Sequence, residues 1–426
     1  MKTLFFISIF FLLIFTYSYS QNKPDSLSSE KDNATKIFID CSFCYEDFIR
    51  TEITFVNYVR DVKQAEVYVL ITTQETGSGG KEYTMTFVGQ KNYLNRNDTL
   101  KFTSKKSETE DNIRKGLVNT LKLGLIPYIS KTPFAQQLSI TFAEPDTATQ
   151  LKDKWKSWVF NNSINGYGNG QKSTQYISLH GNISADKVTP NWKLSFSTGA
   201  NYSENKFIIF NDTIKSNSRG QSLRGLVVKS INNHWSAGGS IGAYTSTYDN
   251  TKLLIYLYPA VEWNLFPYTE STRKQFRFLY KTGCNQVLYN EETIYDKTNE
   301  TLFTESLSTT LELKQKWGSV SASVEGSHYF HDFNKNNVSA FSSLNLRIFE
   351  GFSIRLFGSV SIIHDQLSLP KLGATAEEIL LQRKQLATTY NYYASVGLTY
   401  TFGSIYNNVV NPRFGGGGGG TVYYSD

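Results

Sequence analysis

The sequence predicts an all-β transmembrane antiparallel barrel of about 12 strands, preceded by a small α+β periplasmic domain. From Lys154 onward, apolar and polar residues alternate with a period of two, which is typical of strands with two unlike faces. These segments run to about ten residues or more, whereas strands of soluble sheets average about five or six. Aromatic residues make up 15% of the chain and charged residues only 19%, which favours strands with aromatic girdles over a helical enzyme.

The first twenty residues, MKTLFFISIFFLLIFTYSYS, predict a secretory signal peptide over residues 1–20. Lys2 supplies the positive start, an apolar stretch follows, and Ser18 and Ser20 are the small residues before a cut near Gln21. We therefore expect the mature chain to be exported. Residues 21–35 are polar and are expected to form a flexible lead.

Residues 36–131 predict the α+β domain. Its expected order, βαβββα, comes from strands and helices with distinct periodicities. The predicted elements are a strand at 36–40, a helix at 45–59, strands at 65–73, 82–90 and 98–104, and a helix that begins at the cap Ser107, has Glu110 three residues later, and ends or bends at Pro127. This order resembles the N-terminal modules of periplasmic proteins such as the Tol-Pal translocation component and the curli secretion pore.

The string GSGGK at 77–81 has to be weighed as a phosphate-binding loop. Such a loop requires a strand before it, a helix after it, and Ser or Thr after the lysine. Here a strand is expected on both sides and Glu82 follows Lys81. The string therefore predicts a hairpin turn.

Residues 132–153 are expected to be a linker, residues 154–404 the barrel, and residues 405–426 a flexible glycine-rich tail. Turns such as WGS and FEG are tight, whereas FNDTIKSNSRG and PKLGATAEEILLQRK are long and polar. Short turns on one side and long loops on the other, with an even strand number, are typical of an outer-membrane barrel. The twelve predicted strands are 154–168, 173–186, 191–208, 220–231, 234–248, 252–266, 274–292, 301–316, 319–333, 338–349, 352–369 and 386–403.

Eight charged residues fall on the polar parity of these strands. On a lipid-facing side each would be costly, whereas in a wet lumen both signs can pair. We therefore predict that they face the lumen. They are Lys193, Arg277, Lys281, Glu312, Lys314, Glu325, Arg347 and Arg355.

The stretches SIRLFGSVSIIHDQLSLPK and NYYASVGLTYTFGS, within residues 150–404, make the chain similar to uncharacterised Gram-negative outer-membrane β-barrel proteins, some described as salt-induced outer-membrane proteins. Twelve strands return the chain to the side on which it starts, and the tight turns cluster on that side, so we expect the N-terminal domain and the C-terminal tail in the periplasm. The resemblance implies a location in the outer membrane. It also implies contact with outer-membrane lipid and with the barrel-insertion machinery, which reads a terminal aromatic residue such as Phe402. The chain departs from the pattern by continuing past that residue.

Cys41 and Cys44 form a C-x-x-C sequence after a predicted strand. In an exported chain this spacing predicts a small structural disulfide; two free thiols or a redox site are the alternatives. The order of elements differs from that of thioredoxin-like folds. Cys284 has no partner by sequence and lies on the lipid-facing parity.

The sequence predicts no enzyme, no cofactor and no metal site. The five histidines lack the spacing of a metal centre or of a triad, although His364 and Asp365 together suggest an acid/base pair near the outer rim. The net charge of +6 is spread over many strands rather than clustered with aromatic residues, which argues against nucleic acid as a partner.

The function expected from these features is an outer-membrane, porin-like barrel serving as a narrow channel or as a component of envelope assembly. Two alternatives remain open. One is an outer-membrane hydrolase with an active site at the rim, and the other is a structural scaffold barrel that recruits a periplasmic protein partner through residues 36–131.

Overall fold

The computed structural model describes residues 34–41, 43–77, 79–139, 153–209, 212–372, 385–406, 408 and 413. They form two sheets, one of five strands and one of twelve. The predicted signal peptide, most of the predicted lead and linker, and most of the tail lie outside these residues. Among the described residues, no helix combines the length and the apolar character needed to cross a membrane.

The N-terminal module contains a mixed five-stranded sheet in the order β2-β1-β3-β4-β5. β1 runs parallel to β2 and β3, whereas β3, β4 and β5 are antiparallel neighbours. Its elements are β1 (Lys36–Asp40), α1 (Glu46–Glu52), β2 (Asn57–Tyr58), β3 (Val67–Glu75), β4 (Lys81–Gly89), β5 (Asn97–Ser104) and α2 (Glu110–Ile129), with short 3₁₀ turns at Lys91–Tyr93 and Pro133–Gln137.

The core of the module lies between α2 and the sheet. Leu117, Leu121 and Leu125 follow helical spacing and are buried together with Phe87 from β4. Gly124 permits this approach, since a Cβ at that position would lie 2.1 Å from the Phe87 ring. The module is therefore a water-soluble domain built in the usual way, with its apolar side chains inside.

Two details of the predicted module are wrong. The helix expected over 45–59 ends at Glu52, and Asn57–Tyr58 pairs with β1, so the order is βαββββα. The cap of α2 is Thr109, which accepts a hydrogen bond from the Asn112 N–H at 3.3 Å, rather than Ser107. Pro127 lies inside α2 without ending it.

The second sheet is antiparallel throughout, and every strand pairs with its neighbours in sequence, in the order β17 to β6. This confirms the predicted class of a twelve-stranded antiparallel sheet with a small α+β module. The strands contain 11 to 19 residues. They are β6 (Trp158–Gly170), β7 (Thr174–Val188), β8 (Trp192–Ile209), β9 (Asp212–Ser230), β10 (Trp235–Ser246), β11 (Thr251–Asn264), β12 (Lys274–Tyr289), β13 (Asn299–Gln315), β14 (Gly318–Tyr329), β15 (Asp332–Phe349), β16 (Phe352–Ile363) and β17 (Tyr390–Tyr400).

The largest difference from the predicted strands is at β9, which begins at Asp212 rather than at 220. Pairing of β8 with β9 continues to Ile209 opposite Asp212, so residues 212–220 extend a hairpin instead of belonging to a long loop. Polar residues on both faces conceal a strand from a search for alternation, because a strand solvated on both sides has no reason to alternate.

Candidate functional site

The second sheet has one polar and one apolar face. Residues directly opposite each other in an antiparallel ladder point to the same side. The register aligns Asn264, Arg277, Thr310 and Ser323 across four strands, which places these polar residues on one face. Asn264 is fully buried at 0% exposure, so this polar face is the enclosed one at that point.

The register places all eight predicted charges on this polar face, and four of them take part in three ion pairs. Lys281 on β12 reaches Glu325 on β14 at 3.2 Å, and Arg277 reaches Glu262 on β11 at 3.7 Å. The third ion pair joins Arg347 to a residue of the N-terminal module. Among the described residues, no ion pair is found for Lys193, Glu312, Lys314 or Arg355.

A cavity of about 240 Å³ surrounds the Lys281–Glu325 pair. Tyr258 and Asn285 line it, and the Tyr258 hydroxyl donates to Asn285 Oδ1 at 2.5 Å. Asp365, from the segment after β16, also lines the cavity. The enclosed face is thus partly filled by its own side chains around a polar cavity.

The segment that follows β16 folds onto this enclosed face. Leu367 is only 7% exposed because it packs with Val287, Tyr289 and Leu302. Val287 and Tyr289 come from β12 and Leu302 from β13, near the ends of these strands that lie far from the N-terminal module. We call residues 364–371 the outer plug.

Hydrogen bonds to backbone carbonyl groups hold the outer plug in place. Asn250 Nδ2 donates to the Ser368 carbonyl at 2.8 Å and to the Glu291 carbonyl at 3.0 Å. The Ile294 N–H donates to the Leu369 carbonyl at 2.8 Å. A single Asn side chain therefore ties the plug to the loop between β12 and β13.

Lys371 adds a salt bridge to this attachment. Its Nζ contacts Asp296 and lies 3.6 Å from Glu292, and the hydrogen bond to Asp296 raises the pKa of Lys371. The ammonium therefore stays charged throughout the physiological range.

At the other end of the strands, the N-terminal module contacts the turns of the second sheet. The Arg347 guanidinium donates two hydrogen bonds to the Asp40 carboxylate, at 2.8 and 2.9 Å. The Tyr68 hydroxyl donates to the same carboxylate at 2.7 Å, and burial together with the Asp40 charge raises the pKa of Tyr68. A bidentate Arg–carboxylate pair of this kind fixes orientation as well as position.

Further contacts surround this pair. Lys316 Nζ donates to Gln90 Oε1 at 3.2 Å, and the Gly351 N–H donates to Asp61 Oδ2 at 2.7 Å. Gly351 has φ +75°, and a Cβ there would lie 2.1 Å from the Thr401 carbonyl oxygen, so this turn requires glycine. On the far side, Lys106 Nζ donates to Asn161 Oδ1 of β6 at 2.7 Å.

The contact with the module is the part of the site that the sequence did not reveal. The lumen-facing position of Arg347 was predicted from strand parity alone. Nothing in the sequence KIFID identifies Asp40 as its partner, 307 residues away. Asp40 ends a short strand, and only the tertiary arrangement brings it to the turn between β15 and β16.

The remaining candidates are dispersed. Cys41 and Cys44 are joined in a disulfide, and Cys284 is free. GSGGK lies in the hairpin between β3 and β4, as predicted. His364 Nδ1 lies 3.2 Å from Asn336 Oδ1, and Asp365 accepts from Asn337 at 3.2 Å.

One polar cluster lies on the otherwise apolar face. His328 Nε2 is 2.8 Å from Glu305 Oε1, and the Tyr280 hydroxyl donates to the same glutamate. The three side chains bond one another across β12, β13 and β14, but His328 Nδ1 is buried with no hydrogen-bond partner among the described residues.

No protein-family model matches the chain, and no curated protein matches it significantly. Among solved structures, the NanC porin is similar at 9% identity and a TM-score of 0.29, covering 57% of this chain and 99% of the porin. The translocator domain of the autotransporter NalP from Neisseria meningitidis is similar at 9% identity and a TM-score of 0.19, covering 57% and 87%. At such scores neither similarity bears on function, and the fold rests on the strand register.

Proposed function

We propose that the twelve strands form a barrel in the outer membrane of a Gram-negative cell, with the polar face lining a lumen and the apolar face in lipid. The observation that carries this proposal is the inverted burial of the second sheet. Leu257 on the apolar face is 52% exposed, whereas polar Asn264 and Thr310 on the other face are buried. In water, exposing the apolar face and enclosing the polar face would be unfavourable. In a bilayer the apolar face contacts lipid, so the same arrangement is favourable.

The lengths of the strands support this placement. A strand needs about 9–11 residues to cross a bilayer at a tilt, and the strands here contain 11 to 19. Trp235, Trp263 and Phe278 lie side by side near the module end, with ring centroids 6.3 and 5.6 Å apart in succession. Rings in such a row are typical of the aromatic girdle at one membrane boundary.

A barrel in lipid also requires its two end strands to pair. Unpaired backbone N–H and C=O groups have no partner in hydrocarbon, so only a closed ladder is stable there. The order of the sheet has β6 and β17 as its ends. We therefore expect these two strands to pair when the chain is inserted.

Within this barrel we propose a narrow channel that is closed at rest by two separate elements. The N-terminal module is fastened beneath one mouth through Asp40 and Arg347, on the periplasmic side in this orientation. The outer plug occupies the other mouth with the buried side chain of Leu367. Closures in series must both be released before ions can pass.

Conductance in planar bilayers tests this arrangement. Asp40→Asn removes the charge that holds the module, and Leu367→Ser weakens the outer plug. We expect little conductance from the wild-type protein and from either single variant, and at least about tenfold more channel activity from the double variant. Asp98→Asn with Leu372→Ser is the matched control, because the Asp98 carboxylate accepts from the adjacent Thr99 N–H and Leu372 is 93% exposed.

A double variant that inserts and remains silent would contradict the channel and favour a scaffold barrel with a filled lumen. In that case the periplasmic module becomes the functional element, and a partner would bind it. A non-enzymatic role is supported by the position of His364, whose ring bonds Asn336 rather than a carboxylate. Lipid or peptide turnover that His364→Ala abolishes would contradict that part of the proposal.

A further inference from the structure

One edge of the module's sheet is β2, the first strand in the order β2-β1-β3-β4-β5. An edge strand presents a row of backbone groups that can pair with another extended chain. In this structure, residues 404–406 and 408, which follow β17, lie along that edge. The end of the barrel chain thereby returns to the start of the module.

The contacts between the two segments are one isolated antiparallel bridge and the hydrogen bonds on either side of it. Val59 forms a bridge with Tyr406, and the Arg60 N–H donates to the Ile405 carbonyl at 3.3 Å. The Asn408 amide continues the pairing with its side chain: its Oδ1 accepts from the Tyr58 N–H at 2.6 Å, and its Nδ2 donates to Asn57 Oδ1 at 2.8 Å. Asn408 therefore replaces a backbone peptide group at the end of the ladder.

The edge is held in place by the module itself rather than by residues 404–408. The Tyr58 hydroxyl donates to the Ile53 carbonyl at 2.9 Å, and the Ile49 carbonyl oxygen lies 3.2 Å from the same hydroxyl. The Val59 N–H donates to the Ile37 carbonyl at 2.9 Å. Because these bonds do not involve the tail, the edge stays formed when the tail leaves.

The occupant has little apolar anchoring of its own. Tyr406 is the aromatic residue of the segment, and Lys36 Nζ lies 5.9 Å from its ring centroid. In an extended strand, residues two apart lie on the same side, so Tyr406 and Asn408 form one recognition pair. The other contacts are backbone groups, which any extended peptide carries.

We propose that the β2 edge is a strand-acceptor site whose ligand is an uncharged, extended peptide with an aromatic residue followed two positions later by asparagine. The segment 404–408 is the resident occupant and competes with such a peptide in trans. This assignment is independent of whether the barrel conducts ions. β-Strand addition draws affinity from main-chain hydrogen bonds and specificity from alternate side chains.

The probe is the fluorescent peptide FGSIYNNVV, which corresponds to residues 402–410. We expect saturable binding, measured by fluorescence anisotropy, to folded protein in detergent that is truncated after Phe402. Binding to the full chain should be at least about tenfold weaker, because a tethered competitor has an effective concentration in the millimolar range. A peptide with Asn408→Ala should lose about tenfold in affinity for the truncated protein, and a scrambled peptide should not bind.

A second variant keeps the test decisive if truncation impairs folding. The full chain with Asn408→Ala retains the strand β17 and the tail but loses both amide bonds. It should bind the wild-type peptide more tightly than the unchanged full chain does. Equal binding of the wild-type and Asn408→Ala peptides, or no difference between the two full-length proteins, would overturn the proposal.

Discussion

The two sheets of this chain use the same alternation with opposite burial. In the N-terminal module, Val67 and Phe87 are buried in the core, whereas Lys101 and Thr103 of β5 are exposed. In the second sheet, Val396 and Leu257 are exposed, whereas Asn264 is enclosed. The period of two determines that a strand has two unlike faces, but it does not determine which face is inside.

The difference shows that the solvent defines the core. The module buries its apolar face against α2, which requires a partner element on that side. The second sheet has no helix against its apolar face among the described residues, and that face is left for another apolar phase. Replacing an exposed apolar residue should therefore have little effect on stability in the module and a large effect in the second sheet.

The largest expected effect is in the core of the module. Phe87 is 0% exposed, and Phe87→Ala should reduce the free energy of unfolding of the module by about 3–5 kcal/mol. Both described helices lie in the module, whereas all six tryptophans lie at or beyond residue 155. Urea unfolding followed by circular dichroism at helical wavelengths should therefore shift, while tryptophan fluorescence should not.

The matched control is Leu94→Ala, also in the module but 71% exposed. It should change the free energy of unfolding by no more than about 0.5 kcal/mol. A comparable loss in both variants would mean that the module is not an ordinary water-soluble domain.

The second expected effect tests the apolar face of the other sheet. Val396 and Ser395 are neighbours on β17 and are both exposed, so neither substitution has to displace a packed side chain. Val396→Lys should cost about 2–4 kcal/mol near the bilayer midplane, and Ser395→Lys much less, since only Val396 would face lipid. The loss of the heat-resistant folded band on unboiled gels measures the difference.

Equal behaviour of the two lysine variants would contradict the membrane assignment, because both side chains are equally accessible to water. Failure of Ser395→Lys alone would mean that the polar face is the packed one. Leu94→Lys in the module is the control, and it should be tolerated.

The twelve strands could be predicted because each repeats its alternation for ten or more residues. The short helix α1 could not, because Ile49, Ile53 and Val56 keep helical spacing although the chain leaves the helix after Glu52. All three side chains are buried, so their spacing reflects burial in the core rather than a continuous helix. The extension of β9 to Asp212 was missed because its residues are polar on both faces and therefore show no alternation of apolar and polar residues.

The parity of the strands predicted the face of the charged residues but not their partners. Lys281 and Glu325 lie two strands apart and meet only because of the register. The outer plug was hidden because most of it was predicted as the end of a strand over 352–369, whereas β16 ends at Ile363 and Leu367 and Leu369 are buried beyond it. The alternation of residues along a strand indicates which side chains face the solvent. Contacts between separate elements depend on loops and on strand register, which the alternation does not predict.

The smallest expected effect concerns charges on the water-exposed side of the module. Asp111, in the first turn of α2, accepts hydrogen bonds from Lys115 and Arg114, which lower the pKa of its carboxyl group. A lowered pKa in the folded state means that Asp111 stabilises the module above its unfolded pKa of about 4 and loses this effect as the pH falls through the folded value. Asp111→Asn should therefore lower the urea midpoint of the helical signal slightly at pH 6.

At a pH well below 3 the two proteins should have the same midpoint, and 1 M NaCl at pH 6 should reduce their difference, because exposed charges are screened. The Lys281–Glu325 pair on the enclosed face should be less sensitive to salt, as measured by the heat stability of the barrel with and without Glu325→Gln. A salt effect that is equal at both places would mean that the polar face is as open to bulk water as the surface of the module, which would contradict the enclosed lumen.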